Sequence, residues 1–253
     1  MSIAPNTSRL LLRLVGLVPL SGEESAALEH CAGPARLYRP HEELAREGEA
    51  AGHVGLLVSG FAYRSRVLPD GRRQILSYLI PGDLCDARQL LMPAATHTVS
   101  TLTAANVVPF AREELLRLIQ RYPRIGQALC WVALVEETIA REWLVNVGQR
   151  TALERLAHLL CEIITRMAAV GLSDRGRCEL PLTQADLADS VALSTVHVNR
   201  TLQELRRQGL VSLSAGMLEI HAFEAWQALA GFNAASLHPG RGQPQRLRRL
   251  APP

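Results

Sequence analysis

The period of apolar and polar positions changes along the chain. From residue 53 the run HVGLLVSGFAYRSRVL mixes apolar and polar residues at strand-like spacing. Pro69-Asp70-Gly71 then supplies a tight turn before RRQILSYLI. Pro81-Gly82 marks the next turn, and HTVSTLTA and NVVPF read as two more short strands. Such strands are too short to bury a face alone, so they predict a closed roll over residues 21–121. After Phe110 the period becomes helical. AREELLRLIQRY predicts a short helix with Glu113 and Glu114 near its positive end. A longer helix follows over 122–149, opened by Pro123 and ended near Gly148.

That long helix carries two apolar stripes. Ile125, Leu129, Val132, Ile139 and Trp143 are spaced by four, three, seven and four, a seam of the kind used between helices. Trp131, Leu134, Val135 and Thr138 form the second stripe. The first five are assigned to a seam between subunits, with burial in the chain's own core as the alternative. Thr151–Ala168 predicts a further amphipathic helix, AVGLSDRGRCELPL a loop or short hairpin arm, and FEAWQALAGF a short last helix.

Between them lies TQADLADSVALSTVHVNRTLQELRRQGLV. Thr183 caps a helix with Asp186 three residues on, a variant of the capping box. Ala192-Leu193 makes a turn, Ser194 caps a second helix, and Gly209 ends it. Val198, Leu202 and Leu205 face the first helix, while Thr195, Val196, Asn199, Arg200 and Gln203 face outward. Leu210–Leu213 and Met217–Ile220 predict a two-stranded wing around Ala215-Gly216.

One helix fits the DNA major groove, and an outward face of this composition suits it. Arg200 can bond guanine O6 and N7 in bidentate fashion, Asn199 can reach adenine or a phosphate, and Val196 or the Thr195 methyl can touch a thymine methyl. Thr183, Gln184 and Ser194 suit phosphate contact at the helix starts. An ion pair of Arg200 with Glu204, four residues on, is the competing use of that arginine.

Composition narrows the classes. Of 253 residues, 48% are apolar and 20% charged, as in a globular protein. LLLRLVGLVPL near the start is shorter than a membrane span and lacks a small-residue cleavage site, so residues 1–20 predict a packed helix and the chain a cytoplasmic protein. All 27 basic residues are arginine, and net charge is only +3. Arg241, Arg246, Arg248 and Arg249 sit in a basic tail over 233–253, so the case for DNA rests on placement rather than on total charge. Cys31, Cys85, Cys130, Cys161 and Cys178 are scattered without a CxxC pair, which argues against disulfides and metal clusters. No HxH pair, nucleophile elbow or phosphate loop supports catalysis, and no metal or cofactor is implied. A ligand-sensing or protein-interaction dimer without specific DNA binding is the rival reading.

PDGRRQI, PGDLC and LTQADLADSVALSTVHVNRTLQELRRQGLV together resemble the Crp/Fnr family of bacterial transcription regulators, over about residues 20–232. The resemblance implies an α+β chain: a jelly-roll, cyclic-nucleotide-binding-like domain, a central dimerisation helix, and a winged helix-turn-helix over 150–232. It further implies a cytoplasmic homodimer on a two-fold-symmetric operator, in contact with RNA polymerase, with the base-reading arginine at Arg200. Thr195-Val196 departs from the best-known members, so their target sequence does not transfer. The Gly-Glu and Arg-Ser pairs that hold a cyclic nucleotide fall near Asp86-Ala87 and Ala95-Thr96. Asp86 would repel a phosphate, so cAMP and cGMP are not expected to bind, although Arg88 offers a cation in another geometry. The family's iron–sulfur mode needs clustered N-terminal cysteines, and only Cys31 lies there. His41, His53, His97 and Cys85 are conceivable haem ligands, and the effector stays unassigned.

Overall fold

The computed structural model describes residues 7–50, 52–174, 176–214 and 216–237. The basic tail from 238 onward and Ala215 at the wing turn lie outside them. Two compact units are present, described in turn: one runs to Gly71 and from Ser77 to Glu136, the other takes Arg72–Leu76 and the chain from Glu137.

The first unit opens with helix α1 (Ser8–Leu17), whose Leu10, Leu11 and Leu14 are buried. Helix α2 (Gly22–His30) follows, which periodicity did not anticipate because its apolar stripe is weak. Its signal was local: Ser21 accepts a hydrogen bond from the Glu24 amide while the Glu24 carboxylate accepts from that of Ser21. Two antiparallel sheets form the roll. One orders β1 (Arg36–Tyr38), β7 (Ala105–Ala111) and β3 (His53–Ser59); the other orders β2 (Glu43–Ala45), β6 (Thr98–Thr101), β4 (Ala62–Val67) and β5 (Arg73–Leu79). The run beginning at residue 53 is therefore two strands. It breaks at Gly60, at φ +82°, where an added Cβ would stand 2.3 Å from the Ala104 carbonyl oxygen. The predicted Pro69-Asp70-Gly71 turn closes with the Gly71 amide donating to the Leu68 carbonyl at 2.9 Å.

Leu57, Ala62, Leu79, Val99 and Val107 fill the roll between its sheets. A second cluster joins Leu14, Leu28, Leu56 and Phe110 to Ile125, Leu129 and Val132. The last three belong to the long helix α4 (Pro123–Gln149), which follows α3 (Arg112–Arg121). This corrects the assignment of the subunit seam. Ile125, Leu129, Val132, Ile139 and Trp143 are all buried within the chain itself. Both stripes of α4 are apolar enough to be covered, and periodicity does not say which one meets the chain's own core. The exposed face instead carries Gln127, Cys130, Leu134, Glu137, Arg141 and Leu144, at alternating steps of three and four. Gly148 lies inside α4 rather than ending it.

In the second unit α5 (Ala152–Ala169) is the hub. Thr151 and Glu154 cap it reciprocally, and Leu156, Leu160, Ile163 and Ile164 are buried. The Trp226 indole of α8 (Phe223–Ala230) donates to the Ala157 carbonyl at 2.8 Å. Trp143 donates to the buried Glu162 carboxylate at 2.6 Å. The arm predicted as a loop or hairpin is β8 (Ser173–Asp174) and β9 (Arg177–Glu179). It extends the wing, β10 (Val211–Ser214) and β11 (Met217–Ile220), into a four-stranded sheet ordered β10-β11-β9-β8.

Candidate nucleic-acid interface

Two short helices form the site: α6 (Gln184–Val191) and α7 (Thr195–Arg207). Leu187, Ala188 and Val191 of the first are buried with Val198, Leu202 and Leu205 of the second, and both helices pack on α5. Ala192 makes the bend between them in the left-handed conformation, φ 53°, which an L residue with a Cβ adopts at a cost of roughly 1 kcal/mol. Its amide donates to the Ala188 carbonyl, and the Arg155 guanidinium donates to the Val191 carbonyl at 3.1 Å. Those bonds satisfy the end of α6 and fix the angle at which α7 leaves.

The helix starts differ in what they leave for a phosphate. Thr183 is committed to its own cap: the hydroxyl donates to Asp186 Oδ2 at 2.6 Å and accepts from the Asp186 amide at 3.1 Å. Its role is therefore to hold α6 rather than to offer a hydroxyl hydrogen outward. Gln184 is exposed, and its Oε1 accepts from Asn199 Nδ2 at 3.1 Å. This bond ties the first turn of α6 to the outward face of α7. It leaves the Gln184 amide hydrogens and the Asn199 carbonyl oxygen for another partner. Ser194 accepts from the His197 amide at 3.2 Å, as a cap should.

On α7 the exposed residues are Thr195, Val196, Arg200, Gln203, Arg206 and Arg207, with Asn199 half-buried. Val196 is 79% exposed, the most open large apolar side chain among the described residues. The competing use of Arg200 is not realised. Glu204 accepts from Arg207 at 2.7 and 2.9 Å and from Gln208 at 2.7 Å. Those donors hold its carboxylate down at about 2, and Arg200 makes no hydrogen bond or ion pair among the described residues. Arg206 donates to the Leu213 carbonyl of the wing at 2.9 Å, which fixes α7 against β10. His197 is half-buried.

The roll interior is the second polar place. Asp86 is buried, and its Oδ1 accepts from the Arg88 amide and from Arg88 Nε, both at 3.2 Å. Arg88 Nη2 also donates to His97 Nδ1 at 2.8 Å, and Thr96 Oγ1 lies 3.2 Å from that nitrogen. Burial holds the His97 pKa down at about 4, with Arg64 and Arg88 adding to the effect against Asp86 and Glu136. Buried Arg64 donates to the Cys85 and Leu84 carbonyls at 3.0 and 2.9 Å and to Glu136 at 3.0 Å. Burial pushes the Cys85 thiol up to about 12, so this cysteine is inert. No three ligating side chains converge to hold a metal among the described residues.

Comparisons with known proteins agree with this arrangement. Residues 35–122 match the cyclic nucleotide-binding domain family, and residues 154–229 match the Crp-like helix-turn-helix domain family. The chain is 32% identical to the transcriptional activator protein FnrL of Cereibacter sphaeroides, over 76% of this chain and 77% of that one. It is 30% identical to the transcriptional activatory protein AadR of Rhodopseudomonas palustris, over 76% and 80%. The solved structure of FixK2 from Bradyrhizobium japonicum superposes with a TM-score of 0.70 at 26% identity, covering 78% of this chain and 96% of that one. On these matches, the chain belongs to the Crp/Fnr family of transcription regulators.

Proposed function

We propose that the chain reads a two-fold-symmetric operator as a homodimer, one α7 per half-site. The observation that carries this reading is the outward face of α7, where Arg200 is exposed and Glu204 is taken by Arg207 and Gln208. Arg200 then serves guanine in bidentate fashion, Val196 a thymine methyl, and the Gln184–Asn199 pair an adenine edge or a phosphate. Thr195 and Gln203 border this patch, and Ser194 supports its start at the backbone. The dimer seam is the exposed face of α4, with Leu134 and Leu144, 50% and 70% exposed, as its apolar anchors. Two relatives are named as activators, which supports activation through RNA polymerase.

Selection of duplexes from a random library by the full chain tests the reading. It should return inverted half-sites that contain a guanine. Arg200→Ala should then lose about 1–3 kcal/mol of discrimination at that base pair while the protein stays dimeric. Unchanged preference in this variant would remove the assigned contact. Leu134→Glu should give a monomer in sedimentation; a persistent dimer would move the seam elsewhere.

A further inference from the structure

The helix pair has a charge problem that its own residues do not solve. Residues 183–208 contain Arg200, Arg206 and Arg207 against Asp186, Asp189 and Glu204, a net charge of zero. Both acids of α6 lie on the helix whose first turn is meant to approach phosphate, and α6 has no basic residue. A duplex carries one negative charge per ~1.7 Å of axis, so two uncompensated carboxylates there would oppose binding.

The compensation comes from far along the chain. Arg72–Leu76, where β5 begins, belongs to the same compact unit as the helix pair. Arg73 Nη2 donates to Asp186 Oδ1 at 2.8 Å, and Arg73 Nε donates to Asp189 Oδ2 at 2.7 Å. Gln74 Nε2 lies 3.4 Å from the Ser190 carbonyl oxygen. One guanidinium thus bridges both carboxylates of α6. The other oxygen of Asp186 remains on the Thr183 cap, so the cap and the bridge share one carboxylate. With Arg73 included, the cluster goes from zero to +1.

We infer that Arg73 is a positioning residue for DNA binding: it neutralises Asp186 and Asp189 so that α6 and α7 can approach the phosphate backbone. The inference rests on the DNA-binding reading above. The far end of the same strand, Leu79, is buried in the roll core.

The test measures binding of the full chain to its selected operator and to a fixed 30-base-pair duplex of mixed sequence, at rising NaCl. Arg73→Ala should weaken both about tenfold at 50 mM NaCl, with the gap closing by 300 mM as screening shortens the reach of the carboxylates that have lost their partner. Adding Asp189→Asn should recover much of the loss, and should gain more in the Arg73→Ala background than in the wild type. Arg73→Gln, which keeps hydrogen-bond donors without the charge, should behave like Arg73→Ala and covers the case in which Arg73→Ala does not fold. Wild-type binding by Arg73→Gln, or equal gains from Asp189→Asn in both backgrounds, overturns the inference. So does a loss that salt does not change. If the wild type binds neither duplex, the DNA-binding reading itself fails, a result distinct from any of these.

Discussion

The roll and the outward face of α7 both present arginines, and they use them in opposite ways. Arg64 is buried and gives its donors to the Leu84 and Cys85 carbonyls and to Glu136. Arg88 is turned onto Asp86 and His97. Arg200 stands in the open, and the carboxylate best placed to claim it is occupied by others. An arginine whose partners lie within the fold contributes to structure. One whose neighbouring acid is already engaged is left for an external acceptor. Count and net charge are blind to this difference; the assignment of partners shows it.

The largest effect that would break the contrast is on stability. Arg64→Ala removes a donor from Glu136 and from two buried carbonyls. Loss of one partner from a buried pair typically costs about 3–5 kcal/mol. Denaturant unfolding should show that loss for Arg64→Ala and a change within about 0.5 kcal/mol for Arg200→Ala. Equal effects would mean that the two arginines are not differently employed.

Acid should act on the interiors and spare the recognition face. Burial lowers the His97 and His158 pKa to about 4 from an ordinary value of 6.5. The unfolded chain therefore takes up these protons more readily than the folded one. Their contribution to stability is present above pH 6.5 and is lost as pH falls from there toward 4. Urea midpoints should fall between pH 7.5 and 5.5, with the same slope for the wild type and for Arg200→Ala. A flat profile would mean that these histidines are not held neutral by the fold.

Legibility in the sequence followed the range of the interactions. The caps at Thr183 and Ser194, the turn at Pro69-Asp70-Gly71 and the α6–α7 pair were legible because each is set within a few residues. The outward residues of α7 were also legible, since helical period places them opposite Val198, Leu202 and Leu205. The face of α4 that meets the chain's own core was not, because that choice depends on Leu14, Leu28 and Phe110, remote in sequence. Nor was the release of Arg200 from Glu204, which turns on competition from Arg207 and Gln208. The bridge from Arg73 to α6 spans more than a hundred residues and carried no local signal at all.

The smallest expected effect is none, and it sharpens the contrast from the other side. A cyclic nucleotide brings one phosphate charge into partial burial and needs a cation or several donors to meet it. In this roll buried Asp86 already holds Arg88, while Glu136 holds Arg64. A ligand at a hundred times its Kd stabilises by about 2.7 kcal/mol, enough to raise a melting midpoint by several degrees. Millimolar cAMP should leave the midpoint where it is, and calorimetry should register no heat beyond dilution. Asp86→Ala, which releases Arg88 and removes the repelling charge, is the variant in which a shift should first be seen. A shift in the wild type would mean that Arg88 leaves Asp86 and His97 for the ligand, and that an arginine engaged within the roll is as available as Arg200.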